Sequence, residues 1–427
     1  PMRTVLLDLG PMAHLSGNGS LKGADISDSE MLTNPAGKGI VIEDGIIVKI
    51  DDSKALEDEY GSENIHRSKL DNLECKIYSL NGKAIIPGLV DAHTHLLWSG
   101  DRSREVSWRQ QGHSYSDIAS MGGGIVSTVE ATRNSTQAEL IELGYKRLRS
   151  AFRNGSTHLE VKSGYGLSTE SELKLIAAAN ELSKMNHLPS IDQTWLGAHA
   201  TPKGYSRSDY VEEILSEQLP AVLEQGLARS ADVFCEPGWF TIEESEDILK
   251  QSKQGGLDLR MHIDEFTDGG GGDLAAELAV TSADHSHYTS TDARMKMEES
   301  GVNCGFLPGT PYSMGEQWPD FNEVTEQQFT WSVATDFNPN CQTLSLPFIA
   351  SILVQRCAVS PLASLVACSR NPAQTTPHPS GARHGVVEEG AVANLNVVDS
   401  PWWQAWCQQP GDSPFHATML EGDLIFH

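Results

Sequence analysis

Residues 87–95 read Pro-Gly-Leu-Val-Asp-Ala-His-Thr-His, and they open a long segment in which strand-like and helical patterns alternate. The Pro-Gly turn and the apolar residues after it predict a buried strand from Leu89 onward. Alternate residues of a strand share a face, so His93 and His95 would point the same way, at a spacing that suits one metal ion. A doubly wound sheet would need a phosphate-binding Gly-x-Gly-x-x-Gly after its first strand, whereas this strand ends in histidines.

Eight strand-like runs occur between residues 88 and 379, and each has enough chain after it for a helix. The runs are 89–97, 156–165, 191–200, 231–236, 257–265, 282–288, 301–308 and 332–338. The first helix is well marked, because Thr136 and Glu139 form a capping-box pattern and Gly155 follows the end of the helix. Eight such units in about 290 residues are typical of a (β/α)8 TIM-like barrel.

Short β-rich runs with turn signals also occur at both ends of the chain. The runs and their turns are 39–50 with Asp44-Gly45, 76–86 with Asn81-Gly82, 385–398 with Glu389-Gly390, and 419–426 with Glu421-Gly422. We therefore predict an α/β protein in which the barrel occupies residues 88–379. Residues 1–87 plus 380–427, from both chain termini, would form a small all-β domain, a β-sandwich.

The charge balance and the cysteines exclude several classes of partner. The 427 residues include 31 Lys plus Arg against 58 Asp plus Glu, a formal net charge of −27. Such an excess of acid repels nucleic-acid phosphates and anionic lipid head groups, so neither nucleic acid nor membrane is expected as a partner. The most apolar stretch, 346–369, is broken by Gln355 and Arg356. The seven cysteines form no Cys-x-x-Cys pair and are odd in number, which favours a reducing, cytoplasmic setting.

Polar residues recur where the predicted barrel strands end. The active sites of such barrels lie at the C-terminal ends of the strands, so these residues are the candidates for chemistry. They are His93, His95, His199, His262, Glu265, His285, His287, Asp336 and Asn338. A single His-x-His pair is weak evidence, but its recurrence with further His and Asp residues at other strand ends indicates a shared metal site.

Several motifs follow one another in order along the barrel segment. They are Pro-Gly-Leu-Val-Asp-Ala-His-Thr-His (87–95), Gly-Asp-Arg (100–102), Lys-Ser-Gly-Tyr-Gly (162–166), Gly-Ala-His-Ala (197–200), Ala-Asp-Val-Phe-Cys-Glu (231–236), His-x-Asp-Glu (262–265), Ser-Ala-Asp-His (282–285) and Ala-Thr-Asp-Phe-Asn-Pro (334–339). Together they resemble the imidazolonepropionases of the amidohydrolase superfamily. The first motif marks only the superfamily, whereas the motifs Lys-Ser-Gly-Tyr-Gly, Gly-Ala-His-Ala and Asp-Phe-Asn-Pro narrow the resemblance to the family.

The resemblance implies one divalent metal ion bound by His93, His95, His262 and Asp336. Three imidazoles and a carboxylate suit Zn(II) and Fe(II) alike, so the identity of the metal stays open. Binuclear relatives use a bridging carbamylated lysine at the end of strand four. Residues 234–236 read Phe-Cys-Glu, without a lysine, which favours a single ion.

The reaction that the resemblance implies is hydrolysis of the ring amide of 4-imidazolone-5-propanoate to N-formimidoyl-L-glutamate in histidine degradation. A divalent ion lowers the pKa of water from about 15.7 towards about 7, and Asp336 can take the proton of that water. Glu265 resembles the residue that orients the water or handles ring protons, and His285 the one that polarises the carbonyl. Spacing alone does not choose between His285 and His287, which would share a face of the strand.

The resemblance also implies contacts to a small-molecule anionic substrate. Arg102, Tyr165, His199 and Asn338 match the family's substrate-binding positions. The chain departs from the family where Asn340 and Cys341 replace the usual Gly and Ser or Thr after Asp-Phe-Asn-Pro, which puts a hydroxyl contact to the substrate in doubt. A homodimer is a family-level expectation.

Residues 108–133 lie in the connection of about 40 residues between strand one and its helix, and we predict a mobile lid there that excludes water. Two alternatives to this function stay open. One is another cyclic amidohydrolase or ring deaminase of the same superfamily, and the other is a barrel that has lost its metal and serves as a non-catalytic scaffold.

Overall fold

The structure is a computed structural model, and it describes residues 2–61 and 74–427. The predicted small domain includes residue 1 and residues 62–73, which lie outside the described residues. Among the described residues, seven strands precede the barrel: β1 (Met2–Leu7), β2 (Met12–Ala13), β3 (Thr33–Asn34), β4 (Lys38–Glu43), β5 (Ile46–Asp52), β6 (Glu74–Ser79) and β7 (Ile85–Pro87).

Eight parallel strands form the central sheet, each paired with the next along the chain. They are β8 (Leu89–Thr94), β9 (Ser156–Lys162), β10 (Ser190–Ala198), β11 (Ser230–Cys235), β12 (Asp258–Ile263), β13 (Ser282–His285), β14 (Asn303–Phe306) and β15 (Trp331–Val333). The ring closes because the Asp336 amide donates to the His93 carbonyl at 3.1 Å and the His95 amide to the Phe337 carbonyl at 2.8 Å. The predicted barrel is thus confirmed, and its closing contacts involve three candidate site residues.

The helices lie mostly between consecutive barrel strands. They are α1 (Ser29–Leu32), α2 (Ser53–Tyr60), α3 (Glu105–Gln110), α4 (Tyr115–Ser120), α5 (Gly124–Asn134), α6 (Gln137–Arg153), α7 (Thr169–Ser183), α8 (Arg207–Glu213), α9 (Leu219–Gln225), α10 (Ile242–Gln254), α11 (Gly271–Leu278), α12 (Thr291–Glu299), α13 (Gly309–Met314), α14 (Phe321–Glu326), α15 (Leu346–Arg356), α16 (Pro361–Cys368) and α17 (Arg370–Ala373). Within the described ranges, no helix is long and apolar enough to cross a membrane.

The helix α6 begins where the sequence predicts. The Thr136 hydroxyl accepts from the Glu139 amide, and the Glu139 carboxylate accepts from the Thr136 amide at 2.8 Å. Leu140 and Leu148 are fully buried on the face that packs against the barrel. The connection that precedes α6 folds into the three short helices α3, α4 and α5.

Two further sheets are built from the terminal segments, with the last three strands β16 (Leu395–Val398), β17 (Phe415–Leu420) and β18 (Asp423–Phe426). One sheet has the order β5-β4-β1-β6, and the other has the order β18-β17-β16-β7-β2-β3. Leu6 and Ile40 of the first sheet share an apolar core with Ile85, Leu395 and Met419 of the second. The predicted sandwich-like arrangement of both termini is therefore confirmed.

The four turn signals in this region have different outcomes. Asn81-Gly82 joins β6 to β7, and these strands belong to different sheets, because β6 pairs with β1 whereas β7 pairs with β16. Glu389-Gly390 is a turn, but the only strand of the run 385–398 is β16. A turn signal specifies the local backbone and does not determine which strands pair. The turns at Asp44-Gly45 and Glu421-Gly422 do join antiparallel partners.

Candidate metal centre and active site

The four residues expected to bind metal lie together at the C-terminal end of the barrel. His93 is on β8, His95 directly follows it, His262 is on β12, and Asp336 follows β15. The Asp336 Oδ1 atom lies 3.3 Å from His93 Nε2 and 3.4 Å from His95 Nε2, and the His95 and His262 Nε2 atoms are 3.5 Å apart. None of the four is more than 3% exposed.

The donor atoms of this cluster fit a metal ion. The His93 Nε2 atom is buried and makes no hydrogen bond. On the other side of the ring, His93 Nδ1 lies 2.6 Å from Asp284 Oδ2, and His262 Nδ1 lies 2.9 Å from Asp232 Oδ1. A histidine that binds metal through one nitrogen typically donates from the other to a carboxylate. The cluster has this arrangement at two of its histidines.

A buried ion-pair network supports Asp232 from below. The Lys162 ammonium donates to Asp232 Oδ2 at 2.7 Å and to Glu160 Oε2 at 2.6 Å, and all three side chains are inaccessible to solvent. Burial raises the pKa of Asp232, but His262 and Lys162 outweigh that effect and hold it well below its ordinary value. Asp232, Asp284 and Lys162 occur in the quoted motifs, but spacing alone gave them no role.

Asp336 is oriented by a hydroxyl from a neighbouring short helix. Its Oδ2 atom accepts a hydrogen bond of 2.6 Å from Thr310 Oγ1, and this leaves Oδ1 facing the histidines. Thr310 lies on α13, and no sequence pattern pointed to it. The contact fixes which carboxylate oxygen faces the metal cluster.

Glu265 and His285 form a pair beside the cluster. The Glu265 Oε2 atom lies 3.3 Å from His285 Nε2, and both residues line the central cleft. Burial, with a contribution from the Asp336 charge, raises the pKa of Glu265 well above its ordinary value, and burial lowers the pKa of His285 to about 3. His285 also belongs to a triplet with His93 and His262 whose donor atoms lie within 4.8 Å of one another.

His285 and His287 do not lie on one strand as expected, because β13 ends at His285, and both line a small pocket beside the cleft. Both His285 (φ 67°) and Ser286 (φ 50°) adopt left-handed backbone conformations. The chain therefore turns before His287, whose ring packs on Tyr288 with centroids 4.6 Å apart. His285 lines the cleft and His287 does not.

A cleft of about 570 Å³ opens above the cluster. Tyr165 and His199 line it, and the His199 ring stacks on His95 with a centroid distance of 5.0 Å and an interplanar angle of 12°. The buried carboxylate of Glu172 accepts the backbone amides of Gly164, Gly166 and Leu167. This cradle fixes the loop that carries Tyr165.

The loop of Glu265 is held in the same way. The Glu236 carboxylate, at the end of β11, accepts the backbone amides of Glu265, Phe266 and Thr267 at 2.9, 3.2 and 3.1 Å. In the sequence, Glu236 belongs to the Phe-Cys-Glu segment whose lack of a lysine favours a single metal ion, and no other role is predicted for it. Its contacts instead show that it fixes the backbone of an active-site loop.

Arg102 and Asn338 line the cleft, but their polar atoms are largely engaged by the protein. Arg102 makes a buried two-point ion pair with Glu105, at 2.9 Å from Nε and 3.1 Å from the NH2 nitrogen. The Asn338 side chain donates to the Asp336 carbonyl at 2.7 Å and accepts from the Asn340 amide at 2.8 Å.

The turn that contains the two departures from the family pattern is intact. The backbone groups of Asn338 and Cys341 exchange two hydrogen bonds of 3.1 Å. Asn340 does not adopt a positive φ, so glycine is not required there. Both Asn340 and Cys341 line the cleft.

The fold of this chain occurs in solved metal-binding and ring-processing enzymes. An adenosine deaminase from Xanthomonas campestris with bound zinc superposes with a TM-score of 0.65 at 15% identity, covering 99% of this chain and 92% of that one. Guanine deaminase from C. acetobutylicum with bound guanine has a TM-score of 0.66 at 14% identity, covering 99% and 100%. These likenesses show a shared (β/α)8 fold, and in this chain the barrel carries a buried His and Asp cluster.

Comparison with curated sequences identifies the family, although no protein-family model matches the chain. An imidazolonepropionase from Symbiobacterium thermophilum is 36% identical over 406 residues, covering 94% of this chain and 92% of that protein. One from Shewanella sediminis is 39% identical over 339 residues, covering 78% and 81%. The chain belongs to the imidazolonepropionase family.

Proposed function

We propose that this protein hydrolyses the ring amide of 4-imidazolone-5-propanoate to N-formimidoyl-L-glutamate, a step in histidine degradation. The observation that carries the proposal is the buried cluster of His93, His95, His262 and Asp336 beneath a cleft in a chain of this family. The Glu265–His285 pair at the same cleft supplies the groups that an amide cleavage needs.

The four cluster residues would hold one divalent ion. Zn(II) and Fe(II) both accept three imidazoles and a carboxylate. The ion supplies hydroxide at neutral pH, because it lowers the pKa of water to about 7. The unpaired Nε2 atom of His93 and the carboxylates behind His93 and His262 support this assignment.

The surrounding residues move protons and orient the ring. Asp336 takes the proton of the attacking water, while Thr310 holds its other oxygen. The neutral imidazole of His285 faces the oxygen of the substrate carbonyl and polarises the carbonyl group as water adds to its carbon. The bond between that carbon and the ring nitrogen then breaks, and Glu265 supplies the proton that the leaving nitrogen needs. The product retains both nitrogen atoms of the substrate.

The substrate-contacting residues lie around the mouth of this cleft. Tyr165 and His199 contact the ring, and Arg102 and Asn338 provide polar contacts to an anionic substrate. The hydrogen bonds that already engage Asn338 restrict it to one orientation toward the substrate.

Hydrolysis in ¹⁸O-labelled water tests this function directly. We expect one ¹⁸O atom in the new carboxylate of N-formimidoyl-L-glutamate and no ammonia. Ammonia release would instead identify a ring deaminase of the superfamily. Product at only the spontaneous rate, from protein with its metal bound, would contradict both assignments and favour another cyclic amide as the substrate.

We extend the proposal to the organisation of the protein. The division into residues 1–87 plus 380–427 and residues 88–379 is supported by the membership of the three sheets. A cytoplasmic setting is supported by seven cysteines that are all free. A homodimer is proposed from the family, and sedimentation at several concentrations tests it.

A further inference from the structure

Two arginines line the cleft, and they differ in how their charge is compensated. Arg102 is buried and pairs with both oxygens of Glu105. The amide of Gly124 also donates to Glu105 Oε1 at 2.6 Å. The single negative charge of Glu105 is therefore committed mainly to Arg102, which leaves Arg102 with little net charge to offer an anion.

Arg109 lies on α3, one helical turn after Glu105, and its charge is less fully compensated than that of Arg102. Its nearest carboxylate oxygen is Glu105 Oε2 at 3.8 Å, beyond hydrogen-bond distance. Its hydrogen-bond partner is Asn340 Oδ1 at 3.3 Å. An amide oxygen holds a guanidinium in place without neutralising it, so Asn340 directs Arg109 to the cleft and leaves its positive charge available.

The charges that line the cleft are separated. In the described part of the chain, Arg102 and Arg109 are the only Lys or Arg residues of the lining, and Glu105 compensates one of them. The carboxylates of Glu265 and Asp336 lie at the metal cluster. An anionic group of a ligand is thus attracted to the side of the cleft that Arg109 occupies.

We propose that Arg109 is a specificity-determining residue that binds the carboxylate of the substrate's propanoate side chain, held in position by Asn340. This inference rests on the proposed function for the identity of the substrate. Arg109 has 35% of its side chain exposed, compared with 5% for Arg102, so a ligand can reach it. The ring of the substrate would then point toward the cluster.

Calorimetric binding of two unreactive analogues tests the proposal without turnover. The probes are 3-(imidazol-4-yl)propanoate and its propanamide, which differ only in the charged group. We expect the wild-type protein to prefer the acid, and Arg109→Gln to lose about tenfold in affinity for the acid with little change for the amide. Arg109→Lys should retain part of the preference.

Arg104→Gln is the matched control, because Arg104 precedes the same helix but is exposed and outside the cleft lining. Its preference for the acid should equal that of the wild type. An unchanged preference in Arg109→Gln, or no preference in the wild type, would overturn the inference.

Kinetics with 4-imidazolone-5-propanoate separate this inference from the proposed function. In Arg109→Gln, KM should rise about tenfold while kcat stays within about twofold, because the lost contact is to a group remote from the reacting bond. If the wild type prefers the acid analogue but forms no product, the proposed function fails and the carboxylate site stands. If turnover is normal and KM is unchanged in the variant, the carboxylate site fails alone.

Discussion

Buried histidines cluster at both ends of this barrel, with similar density. At the C-terminal end, the ring centroid of His93 lies 4.6 Å from that of His262 and 5.3 Å from that of His95. At the N-terminal end, His158 of β9 lies 4.9 Å from His384, and His384 lies 5.7 Å from His378. Density of histidine alone would not distinguish the two clusters.

Both clusters contain buried ring nitrogens without a hydrogen bond, at His93 and His95 in one and at His378 and His384 in the other, so the difference lies in whether donor atoms converge beside carboxylates. His158 has both nitrogens within 2.7 Å of hydroxyl oxygens, those of Ser190 and Thr376. His93 has one nitrogen on a carboxylate and the other without a hydrogen bond. Among the described residues, triplets of donor atoms within 4.8 Å occur at the C-terminal cluster and not at the other. A metal centre is therefore recognised by converging free nitrogens with carboxylates behind them.

The largest effect should come from removing a ligand of the C-terminal cluster. His262→Ala and Asp336→Ala should each reduce turnover by at least about 1,000-fold, and His262→Ala should also lose metal. His384→Gln, at the other end, should retain metal and turnover. Atomic emission and product assays on the same samples measure both, and loss of metal from His384→Gln would contradict the comparison.

Within the cleft, His285 and His287 provide a matched pair. His285→Gln should lower kcat by about 100-fold, because it removes the group proposed to polarise the substrate carbonyl. His287→Gln should change kcat by less than about twofold, because His287 lies outside the cleft. Equal effects of the two substitutions would show that the pairing of His285 with Glu265 has no role in catalysis.

The carboxylates behind the histidines should matter less than the ligands themselves. Asp284→Asn and Asp232→Asn keep the size of each side chain but remove its charge, so metal affinity or activity should fall about 10- to 100-fold. Competition with a chelator measures the affinity. Wild-type affinity in both variants would indicate that the histidine rings are positioned by packing alone.

The N-terminal cluster should affect stability rather than activity. Burial lowers the pKa of His384 to about 4, so the folded protein favours the neutral ring, whereas the unfolded chain protonates near pH 6.5. The contribution of this residue to stability is therefore fully present above about pH 6.5 and is lost as the pH falls towards about 4, by up to about 3 kcal/mol.

Urea unfolding between pH 4.5 and 7.5 measures this effect. His384→Gln should flatten the fall in the free energy of unfolding relative to the wild type. Part of the slope should persist in the variant, because burial also holds the pKa of His158 well below its ordinary value. An identical slope in both proteins would mean that His384 does not titrate on unfolding.

All eight barrel strands could be predicted from the sequence, but their C-terminal ends could not. The run 332–338 was expected to be one strand, whereas β15 ends at Val333 and Asp336 has a φ of 50°. In the run 282–288, the strand β13 likewise ends early, at His285. Positive φ in residues other than glycine is uncommon and concentrates at functional sites, where the chain leaves the regular strand to direct a side chain.

The polar residues at the strand ends could also be predicted, since the barrel brings those ends together, whereas the choice of four metal ligands among them came from the family resemblance. The roles of Lys162, Asp232 and Thr310 could not be predicted, because they depend on contacts between elements far apart in sequence. The lining of the cleft by Arg109 depends on how α3 packs over the barrel mouth. The mobility of residues 108–133 stays a prediction.

The central claim is that the C-terminal cluster holds the metal on which ring-amide hydrolysis depends. The most direct measurement is metal content and N-formimidoyl-L-glutamate formation on one sample, before chelation, after chelation and after a divalent ion is restored. We predict one equivalent of metal, turnover that is lost with it and regained on restoration, and neither in Asp336→Ala. Undiminished turnover in protein stripped of metal would contradict the account.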